Sequence, residues 1–345
     1  MKNDLKSEAI RVQIRPNTAN TQRDTYAAID LGTNNCRLLV ACPDNSAPGG
    51  LRVIDGFSRI VRLGEGLSAS GRLSDTAIAR TTEALKICAN KIESRGVCET
   101  RAVATEACRQ AANDGDFFRH VHQQTGITLK TITSKEEVEL TLAGCVPLLT
   151  TEHARTLMFD IGGGSTEVMW VETNSSGHAC VIDFMSLPYG VVSLAEEFGR
   201  DALPSDVFET IIARIDTDLA PFEDRHHIAQ EIDSGNVHVL GTSGTVTTMG
   251  AIYLDLPRYD RARIDGLSIR VESIHAICGN LIALDYETRN NHPCIGPGRA
   301  DLMVMGCAIL TAICRRWPAS HLTAADRGIR EGLLLDMMAP GRAVA

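Results

Sequence analysis

Hydrophobic and polar positions along the chain follow a pattern that predicts an α/β protein with two strand-rich regions. Three apolar runs of strand length lie between Tyr26 and Phe57, separated by short polar turns, which predicts an antiparallel meander. A second meander is predicted from Leu157 onward, where an apolar run ends at Asp160, three glycines follow, and an apolar run resumes after Glu167. Between and beyond the meanders, apolar residues recur at helical spacing.

The predicted helices are recognised by their ends as well as by their periodicity. Ser74 has the character of an N-cap, and Gly199 that of a C-terminal stop. A strand at 237–240 leads through a small-residue turn into another helix. The predicted helices cover residues 74–94, 117–124, 134–148, 191–198, 204–219, 273–284, 299–315 and 329–338.

The two glycine turns belong to an internal repeat, seen when IDLGTNNCRLLV is laid on FDIGGGSTEVMWV. Three pairs of residues match at a constant offset of 130 (160 − 30): Asp30 with Asp160, Gly32 with Gly162, and Arg37 with Glu167. Such a repeat predicts two similar domains, each beginning with a meander. The two turns are then expected to face one another across a ligand-binding cleft.

Composition and charge restrict the class of protein. A chain of 345 residues with 44% hydrophobic content can form two domains. The net charge of −9 argues against binding to nucleic acid or to an anionic membrane, and no apolar run reaches the ~18–20 residues of a membrane helix. Eleven cysteines without a CxxC motif indicate free thiols in a reducing cytoplasm.

The domain boundaries are expected to follow the repeat. We expect residues 25–133 to form domain I and residues 134–345 domain II, with the terminal helix packing on domain I. Residues 1–24 are polar and lack an apolar signal core, so we expect a disordered extension there.

The glycine turn at 162–164 has the features of a phosphate site. Consecutive glycines allow backbone amides to approach an anion, and Asp160 and Glu167 flank them. Carboxylates next to phosphate oxygens repel them unless a cation is present, so the pattern also predicts a metal ion. A plain glycine hairpin whose Asp begins the turn would have the same sequence.

Several other candidates have two interpretations each. Ser134 and Glu137 have the spacing of a capping box, whereas Glu137 at a domain boundary is alternatively a general base. Arg37 and Arg109 are either solvated side chains or phosphate contacts, and Arg37 directly follows the first turn. The segment 241–250 is either a phosphate-binding helix N-terminus or a tightly packed turn.

The order of these segments resembles the exopolyphosphatase and guanosine pentaphosphate phosphatase family. The matching segments are AAIDLGTNNCRLLVA, RIVRLGEGLSASGRL, RAVATEACRQAAN, ITSKEEVEL, FDIGGGSTEV, GTSGTV, GRADLMVMGCAIL and GIREGLLL. That family shares the actin, sugar-kinase and Hsp70 ATPase fold. The resemblance therefore implies two ribonuclease-H-like domains with mixed sheets flanked by helices and an active-site cleft between them.

The resemblance also implies an activity, namely release of terminal orthophosphate from inorganic polyphosphate by in-line attack of water, with Mg²⁺. Glu137 and Glu167 match the family's catalytic carboxylates, and Asp160 with Glu167 matches a metal site. Phosphate-side positions implied by the resemblance are Asp30, Thr33, Asn34, Arg37, Arg109, Gly162, Gly163, Gly164 and Ser165. The turn at 241–250 adds Gly241, Ser243 and Gly244 as candidates.

Other functions are compatible with the same residues. They are a guanosine pentaphosphate (pppGpp) 5′-phosphohydrolase, a non-catalytic (p)ppGpp-binding protein, and an ATP-dependent kinase of the same fold. Glu139 stands where the family commonly has Arg, and Thr33-Asn34-Asn35 replaces Ser-Asn-Ser, so the site is less suited to a long polyanion. The expected partner is polyphosphate or a guanosine polyphosphate, and the family is compatible with a homodimer.

Overall fold

The computed structural model describes residues 10–12, 24–47, 49–175, 177–199, 203–296 and 298–339. Twelve β-strands are present in this part of the chain. They are β1 (Ile10–Val12), β2 (Tyr26–Leu31), β3 (Asn35–Pro43), β4 (Leu51–Ile60), β5 (Glu99–Ala104), β6 (Leu129–Thr131), β7 (Arg155–Ile161), β8 (Thr166–Thr173), β9 (Ala179–Leu187), β10 (Val237–Thr242), β11 (Leu267–Arg270) and β12 (His321–Ala325).

Helices connect the strands and cover the faces of the sheets. They are α1 (Leu67–Ser70), α2 (Asp75–Ser94), α3 (Glu106–Gln110), α4 (Asp114–Thr125), α5 (Ser134–Cys145), α6 (Val191–Phe198), α7 (Ser205–His226), α8 (Ile228–Asp233), α9 (Gly244–Tyr253), α10 (Arg261–Ile264), α11 (Val271–Ala283), α12 (Tyr286–Asn290), α13 (Ala300–Arg316) and α14 (Ile329–Met337). A short 3₁₀ helix, Val146–Leu148, follows α5.

The strands form two mixed sheets with the same internal order. The first sheet runs β4-β3-β2-β5-β6, and the second contains β9-β8-β7-β10-β12, extended by β1 at one edge and β11 at the other. In each sheet the three-stranded meander is antiparallel, and the next two strands are parallel to its first strand. Two mixed sheets with helices around them confirm the predicted fold class. We call the halves built on these sheets the first and second lobes.

The internal repeat is visible in backbone detail. In the first turn the amide of Gly32 donates to the carbonyl of Asn35, and in the second the amide of Gly162 donates to that of Ser165, both at 2.9 Å. The strand register also shifts at matching places, between Val40 and Ala41 in one meander and between residues 170 and 171 in the other. The hydrogen bond across the turn and the shift in strand register, which marks a β-bulge, thus both recur at the predicted offset of 130 residues.

Most predicted helices are present within a few residues of their expected ends, and Ser74 caps α2 as predicted by accepting from the Ala77 amide at 3.2 Å. Strand β11 was not predicted from the pattern. Within the extension that was expected to be mostly disordered, residues 10–12 pair with β9. Residues 1–9 and 13–23 lie outside the described part of the chain.

Two chemical expectations concern the whole chain. All eleven cysteines are free, and most are buried, which confirms the interpretation of the cysteine pattern as reduced thiols. None of the helices within the described ranges combines the length and apolar character needed to cross a membrane.

The helices α5 and α14 pack closely where the lobes join. A Cβ added at Gly332 in α14 would overlap the carbonyl oxygen of Leu140 in α5, and one at Gly144 would overlap the carbonyl of Gly328. The opposite face of α14 packs through Leu333 and its neighbours on the core of the first sheet. Glycine is therefore needed for α14 to lie between α5 and the first lobe.

We predict opposite effects for alanine at two helical glycines. Gly332→Ala forces α14 away from α5 and should lower the free energy of unfolding by about 1–3 kcal/mol. Gly279→Ala in α11, where a Cβ meets nothing within 4 Å, should raise it by about 0.5–1 kcal/mol, since alanine has the higher helix propensity. Urea denaturation of the two variants measures both effects. Equal destabilisation would contradict this account of the helix contact.

Candidate active site

The two glycine turns meet at a small cleft between the lobes, which we call the central cleft. It has a volume of about 110 Å³. Residues from both repeats line it, together with the N-terminal ends of α9 and α13: Asp30, Thr33, Asn34, Arg37, Glu137, Asp160, Gly162, Gly163, Gly164, Ser165, Ser243, Gly244 and Arg299. The facing arrangement expected from the repeat is therefore present.

The turns touch each other directly. A Cβ at Gly163 would lie 3.0 Å from the Cβ of Thr33 and 3.1 Å from the amide nitrogen of Asn34, and one at Gly164 would lie 2.8 Å from the Thr33 hydroxyl. Any side chain at these glycines would push the lobes apart. The absence of side chains is what allows backbone from both lobes to converge on one point.

Backbone amides at this point of contact are available to a ligand. Within the described residues, the amides of Thr33, Asn34, Gly163 and Gly164 donate to no acceptor, although the carbonyls of Thr33, Asn34 and Gly163 accept hydrogen bonds. The side-chain amide oxygen of Asn34 is likewise buried without a partner. Unpaired amides in an enclosed place are rare in proteins, and converging amides are typical of anion-binding nests.

Four carboxylates proposed from the sequence lie around the nest; three of them line the cleft together with Glu106, and Glu167 lies outside its lining beside Asp160. Asp160 and Glu167 are direct partners in the β7–β8 pairing, and Asp30 is the partner of Arg37 in the β2–β3 pairing. Glu167 is only 2% exposed. Its Oε1 accepts hydrogen bonds from the hydroxyls of Ser165 and Ser186, both at 2.8 Å, which fixes the orientation of the carboxylate.

Glu137 is the fourth carboxylate, and the structure corrects its predicted capping role. The capping box of α5 is formed one residue earlier, by Thr133 and Glu136. Glu137 is instead buried at the cleft, where its Oε2 accepts from Nη1 of Arg109 at 2.7 Å. The capping interpretation of the Ser134–Glu137 pair is therefore wrong, because Glu136 already satisfies the end of the helix.

Arg109 lies behind the carboxylate and does not line the cleft. Its Nη1 also donates to the carbonyl of Ile132 at 2.9 Å, and its Nε donates to Glu106 at 2.8 Å. With a carboxylate on either side, the guanidinium holds Glu137 in a fixed position. The structure thus favours a positioning contact over the direct phosphate contact predicted for Arg109.

The carboxylates perturb one another. Loss of solvation raises the pKa of Asp160 to about 7, with Glu137 adding to the increase and Arg37 opposing it. Burial raises the pKa of Glu137, and the charge of Glu167 raises it further, while Arg109 lowers it. Burial and Asp160 likewise raise the pKa of Glu167. Acids this close resist simultaneous ionisation unless a positive charge joins them.

The side chains that could coordinate a metal ion suit a cation that keeps part of its water shell better than a cation coordinated by protein atoms alone. Within the described residues, no group of three or more His, Cys, Asp and Glu side chains is arranged to hold a metal by itself. Mg²⁺ in proteins is usually held by one or two carboxylates and completes its shell with water and phosphate oxygens. The adjacent carboxylates of Asp160 and Glu167, whose pKa values are raised, suit that mode.

A second cavity of about 480 Å³ opens directly from the central cleft, and we call it the rear chamber. Five arginines line it: Arg37, Arg261, Arg299, Arg327 and Arg330. Arg261 pairs with Glu331 at 2.6 Å and Arg327 with Asp265 at 2.6 Å. Across the ranges that the structure describes, the other three guanidinium groups form no ion pair.

Two of these guanidinium groups, those of Arg37 and Arg299, lie close enough for the charge of one to affect the other. Burial lowers the pKa of Arg299, and the charge of Arg37 lowers it further. Arg37 also extends across the cleft, its Nη2 lying 3.8 Å from the Cβ position of Gly244 at the start of α9. Clustered cations beside a helix N-terminus form an environment that favours a polyanion.

The structure brings together most of the residues proposed from sequence. Twelve of the fifteen candidates line the central cleft, and the exceptions are Arg109, Glu167 and Gly241. Gly241 lies inside β10, where a Cβ would meet the ring of Phe159 at 2.7 Å, so its role is in packing. Sequence reasoning missed Arg299, although the segment GRADLM that contains it was among the matching segments.

Comparisons with known proteins agree with this geometry. The profile of the Ppx/GppA phosphatase family matches residues 44–340. The chain is 32% identical over 324 residues to a Mycobacterium tuberculosis protein named exopolyphosphatase 2, covering 90% of this chain and 98% of that protein.

Two solved structures have the same architecture. An Aquifex aeolicus member of the Ppx/GppA family superposes with a TM-score of 0.73 at 25% identity, covering 92% of this chain and 98% of that one. An exopolyphosphatase from Cytophaga hutchinsonii superposes with a TM-score of 0.80 at 21% identity, covering 91% and 98% of the two chains. At 21% identity, the second comparison is evidence for the shared fold and for nothing more.

The raised pKa of Asp160 predicts a pH-dependent effect of Asp160→Asn in the presence of a chelator. Native Asp160 retains a proton that the unfolded chain releases, so its contribution to stability falls as pH rises from about 4 to about 7. Asparagine does not titrate. The free energy of unfolding of the variant relative to the unaltered protein should therefore increase by on the order of 2 kcal/mol between pH 4 and pH 8.

Urea denaturation at the two pH values measures this difference. Glu152→Gln, at an exposed position, is the matched control and should show no such trend. Parallel pH dependence of Asp160→Asn and the unaltered protein would contradict the assignment.

Proposed function

Because the chain belongs to the Ppx/GppA phosphatase family, we propose that it is an exopolyphosphatase that releases terminal orthophosphate from inorganic polyphosphate. The observation that supports this substrate class most strongly is the junction of two environments. A nest of unpaired backbone amides is enclosed by carboxylates in the central cleft, and a chamber with unpaired arginines opens from it. A phosphoanhydride substrate needs both environments. The nest in the cleft would hold the reacting phosphoryl group, and the chamber would hold the rest of the anion.

The terminal phosphoryl group would lie against the amides of Thr33, Asn34, Gly163 and Gly164. Amides that point at the anion before it binds need no rearrangement, so they stabilise the charge that spreads over the phosphoryl oxygens during transfer. Arg37, which extends from the first lobe towards Gly244, would bind the bridging side of the group.

Glu137 would orient the attacking water and accept its proton. The carboxylate lies at the cleft, and Arg109 holds it through the 2.7 Å bond described above. Its raised pKa makes it a stronger base than an ordinary glutamate, which suits proton transfer near neutral pH. Arg109 and Glu106 would then act on catalysis by fixing Glu137.

Asp160 and Glu167 would hold the divalent cation, which we infer to be Mg²⁺. When bound, this cation would neutralise charge on the carboxylates and on the phosphate oxygens. The hydrogen bonds from Ser165 and Ser186 leave the other oxygen of Glu167 for this role. We also place the protein in the cytoplasm, which the free cysteines support.

Guanosine pentaphosphate is the second candidate substrate. Tyr259 lines the rear chamber and is 40% exposed, so its ring is available for stacking on a base. The arginines favour phosphates over any base, and polyphosphate is therefore the first choice. Membership of a phosphatase family makes the non-catalytic and kinase alternatives less favourable.

We predict that Glu137→Gln lowers the rate of phosphate release from polyphosphate by about 10²–10⁴-fold, the usual effect of removing a general base. The substitution keeps the shape of the side chain, so the thermal unfolding temperature should not fall. Phosphate release with Mg²⁺ from short polyphosphate, long polyphosphate, pppGpp and ATP, measured side by side, gives the rates and identifies the preferred substrate.

Glu136→Gln is the matched control, because it alters the next residue and keeps a side chain that can complete the capping box. Its turnover should remain near that of the unaltered protein. Near-normal turnover of Glu137→Gln, or equal losses in both variants, would refute the assignment of the base.

Arg299→Gln tests the rear chamber. We expect KM for polyphosphate to rise about tenfold, the size of one charge-assisted phosphate contact, with a smaller change in kcat because the proposed mechanism assigns the attacking water to Glu137 and not to Arg299. The salt dependence of KM should also weaken. Arg225→Gln removes an exposed arginine that pairs with Asp183 elsewhere and should change neither quantity. An unaltered KM in Arg299→Gln would argue against a polyanion in the chamber.

A further inference from the structure

The central cleft has a second neighbour, which shares no lining residue with the rear chamber. This front pocket of about 450 Å³ shares Thr33, Glu106 and Gly164 with the cleft, so the touching turns form the partition between the two cavities. Its lining contains three acidic residues, Glu106, Glu196 and Glu197, and no lysine or arginine. The rear chamber is lined by five arginines and three aspartates, so the two sides of the cleft differ in the sign of their net charge.

Counting only the residues that the structure describes, Glu196 is the acidic side chain of this pocket that forms no ion pair. Glu106 pairs with Arg109 at 2.7 Å and Glu197 with Arg214 at 2.6 Å. The carboxylate of Glu196 instead accepts from the amide of Gly66 at 2.7 Å and from the hydroxyl of Ser68 at 2.5 Å. Both partners belong to the first lobe, so Glu196 on α6 bridges the two lobes.

The first-lobe side of this bridge is the segment 61–70, which we call the strap. It is bonded to the back of the first glycine turn. The amides of Val61 and Arg62 donate to the carbonyl of Asn34 at 2.8 and 3.0 Å, and the amide of Gly64 donates to that of Thr33 at 2.9 Å. Displacement of the strap would therefore displace the turn.

The second-lobe side is bonded to the second turn in the same way. At the start of α6, the amide of Val191 donates to the carbonyl of Gly162 at 3.0 Å, and that of Val192 donates to the carbonyl of Gly163 at 2.8 Å. Each turn thus has a supporting segment behind it, and Glu196 connects these two segments. A further contact joins Arg62 of the strap to Asp301 of α13 at 2.8 Å.

We propose that the bridge from Glu196 to the strap closes the front of the central cleft and thereby restricts hydrolysis to the ends of a polyphosphate chain. This inference rests on the proposed polyphosphatase activity. An internal phosphoryl group has a chain on both sides, and the front side presents touching backbone and the negative charge of Glu196. A terminal group needs room on one side only.

The volume of the central cleft agrees with this selection. At about 110 Å³ it is smaller than both the rear chamber of about 480 Å³ and the front pocket of about 450 Å³, which suits one phosphoryl group with its water better than a length of chain. A chain that passed through to the front would have to separate the turns and lie beside Glu196, and repulsion between like charges is an effective means of excluding a competing binding mode.

Cyclic polyphosphate, which has no ends, tests the proposal together with linear polyphosphate of defined length. The unaltered protein should release phosphate from the linear chain and leave the cyclic one intact. Glu196→Ala removes the bridge and the charge together, and its rate on cyclic polyphosphate relative to linear should rise by at least about tenfold. Gel electrophoresis of the linear digest should then show internal fragments beside orthophosphate.

Glu197→Ala is the matched control, because it removes a neighbouring charge that pairs with Arg214 and does not contact the strap. It should remain specific for chain ends. Ser68→Ala removes one of the two bonds to Glu196 and should give a smaller relaxation, which keeps the proposal testable if Glu196→Ala proves unfolded by its thermal transition.

Three results would overturn the proposal. They are strict end specificity in folded Glu196→Ala and in Ser68→Ala, equal relaxation in Glu197→Ala, and hydrolysis of cyclic polyphosphate by the unaltered protein at the linear rate. A different result, no phosphate release from any linear chain by the unaltered protein, would refute the proposed function itself.

Discussion

Repulsion between carboxylates is the constraint on which the arrangement of the cleft depends. Asp30, Glu137, Asp160 and Glu167 come from four elements in two lobes, and charge on these neighbours adds to the burial that raises the pKa values of Glu137, Asp160 and Glu167. Such a cluster is unfavourable in a low-dielectric interior unless positive charge and hydrogen-bond donors surround it. Guanidinium groups and serine hydroxyls supply part of that compensation. The cation proposed above would neutralise the remaining imbalance, so the repulsion that lowers stability would also be the source of metal binding.

The duplicated meander explains how the chain holds such a site. Each copy contributes a rigid hairpin with the same turn bond and the same bulge, but the residues at matching positions have diverged. Position 37 is an arginine in the first copy and the matching position 167 is a glutamate in the second. Opposed copies of one scaffold therefore place a basic side chain, Arg37, and an acidic side chain, Glu167, around the site proposed for the phosphoryl group. A site on strand ends is more precise than one on flexible loops.

The sequence predicts those features of the fold and site that depend on residues close together in the chain. It is ambiguous for features that depend on residues brought together by tertiary packing. The repeat, the meanders and most helix ends follow from period, caps and glycines, and these set the architecture. Of the twelve candidate positions found in the cleft, several, such as Thr33, Asn34 and Ser165, were implied only by the family resemblance. The capping box was misplaced because Thr133-Ser-Lys-Glu-Glu137 contains two overlapping boxes, and helix propensity does not distinguish between them. Arg299 and Arg330 escaped notice because arginines distant in sequence converge only through tertiary packing. The strand β11 has four residues, too few for a clear period.

Under the proposed function, the opposite charges of the two sides of the cleft have a consequence for product release. Orthophosphate would form at the inner end, between the closed partition and the shortened chain, and the arginine-lined side would be the route by which that chain arrived. The remaining polymer would then have to withdraw before the small ion could diffuse out, so each further phosphate would be removed in a new encounter. Degradation of this kind would be distributive, and a population of polymers would shorten in step.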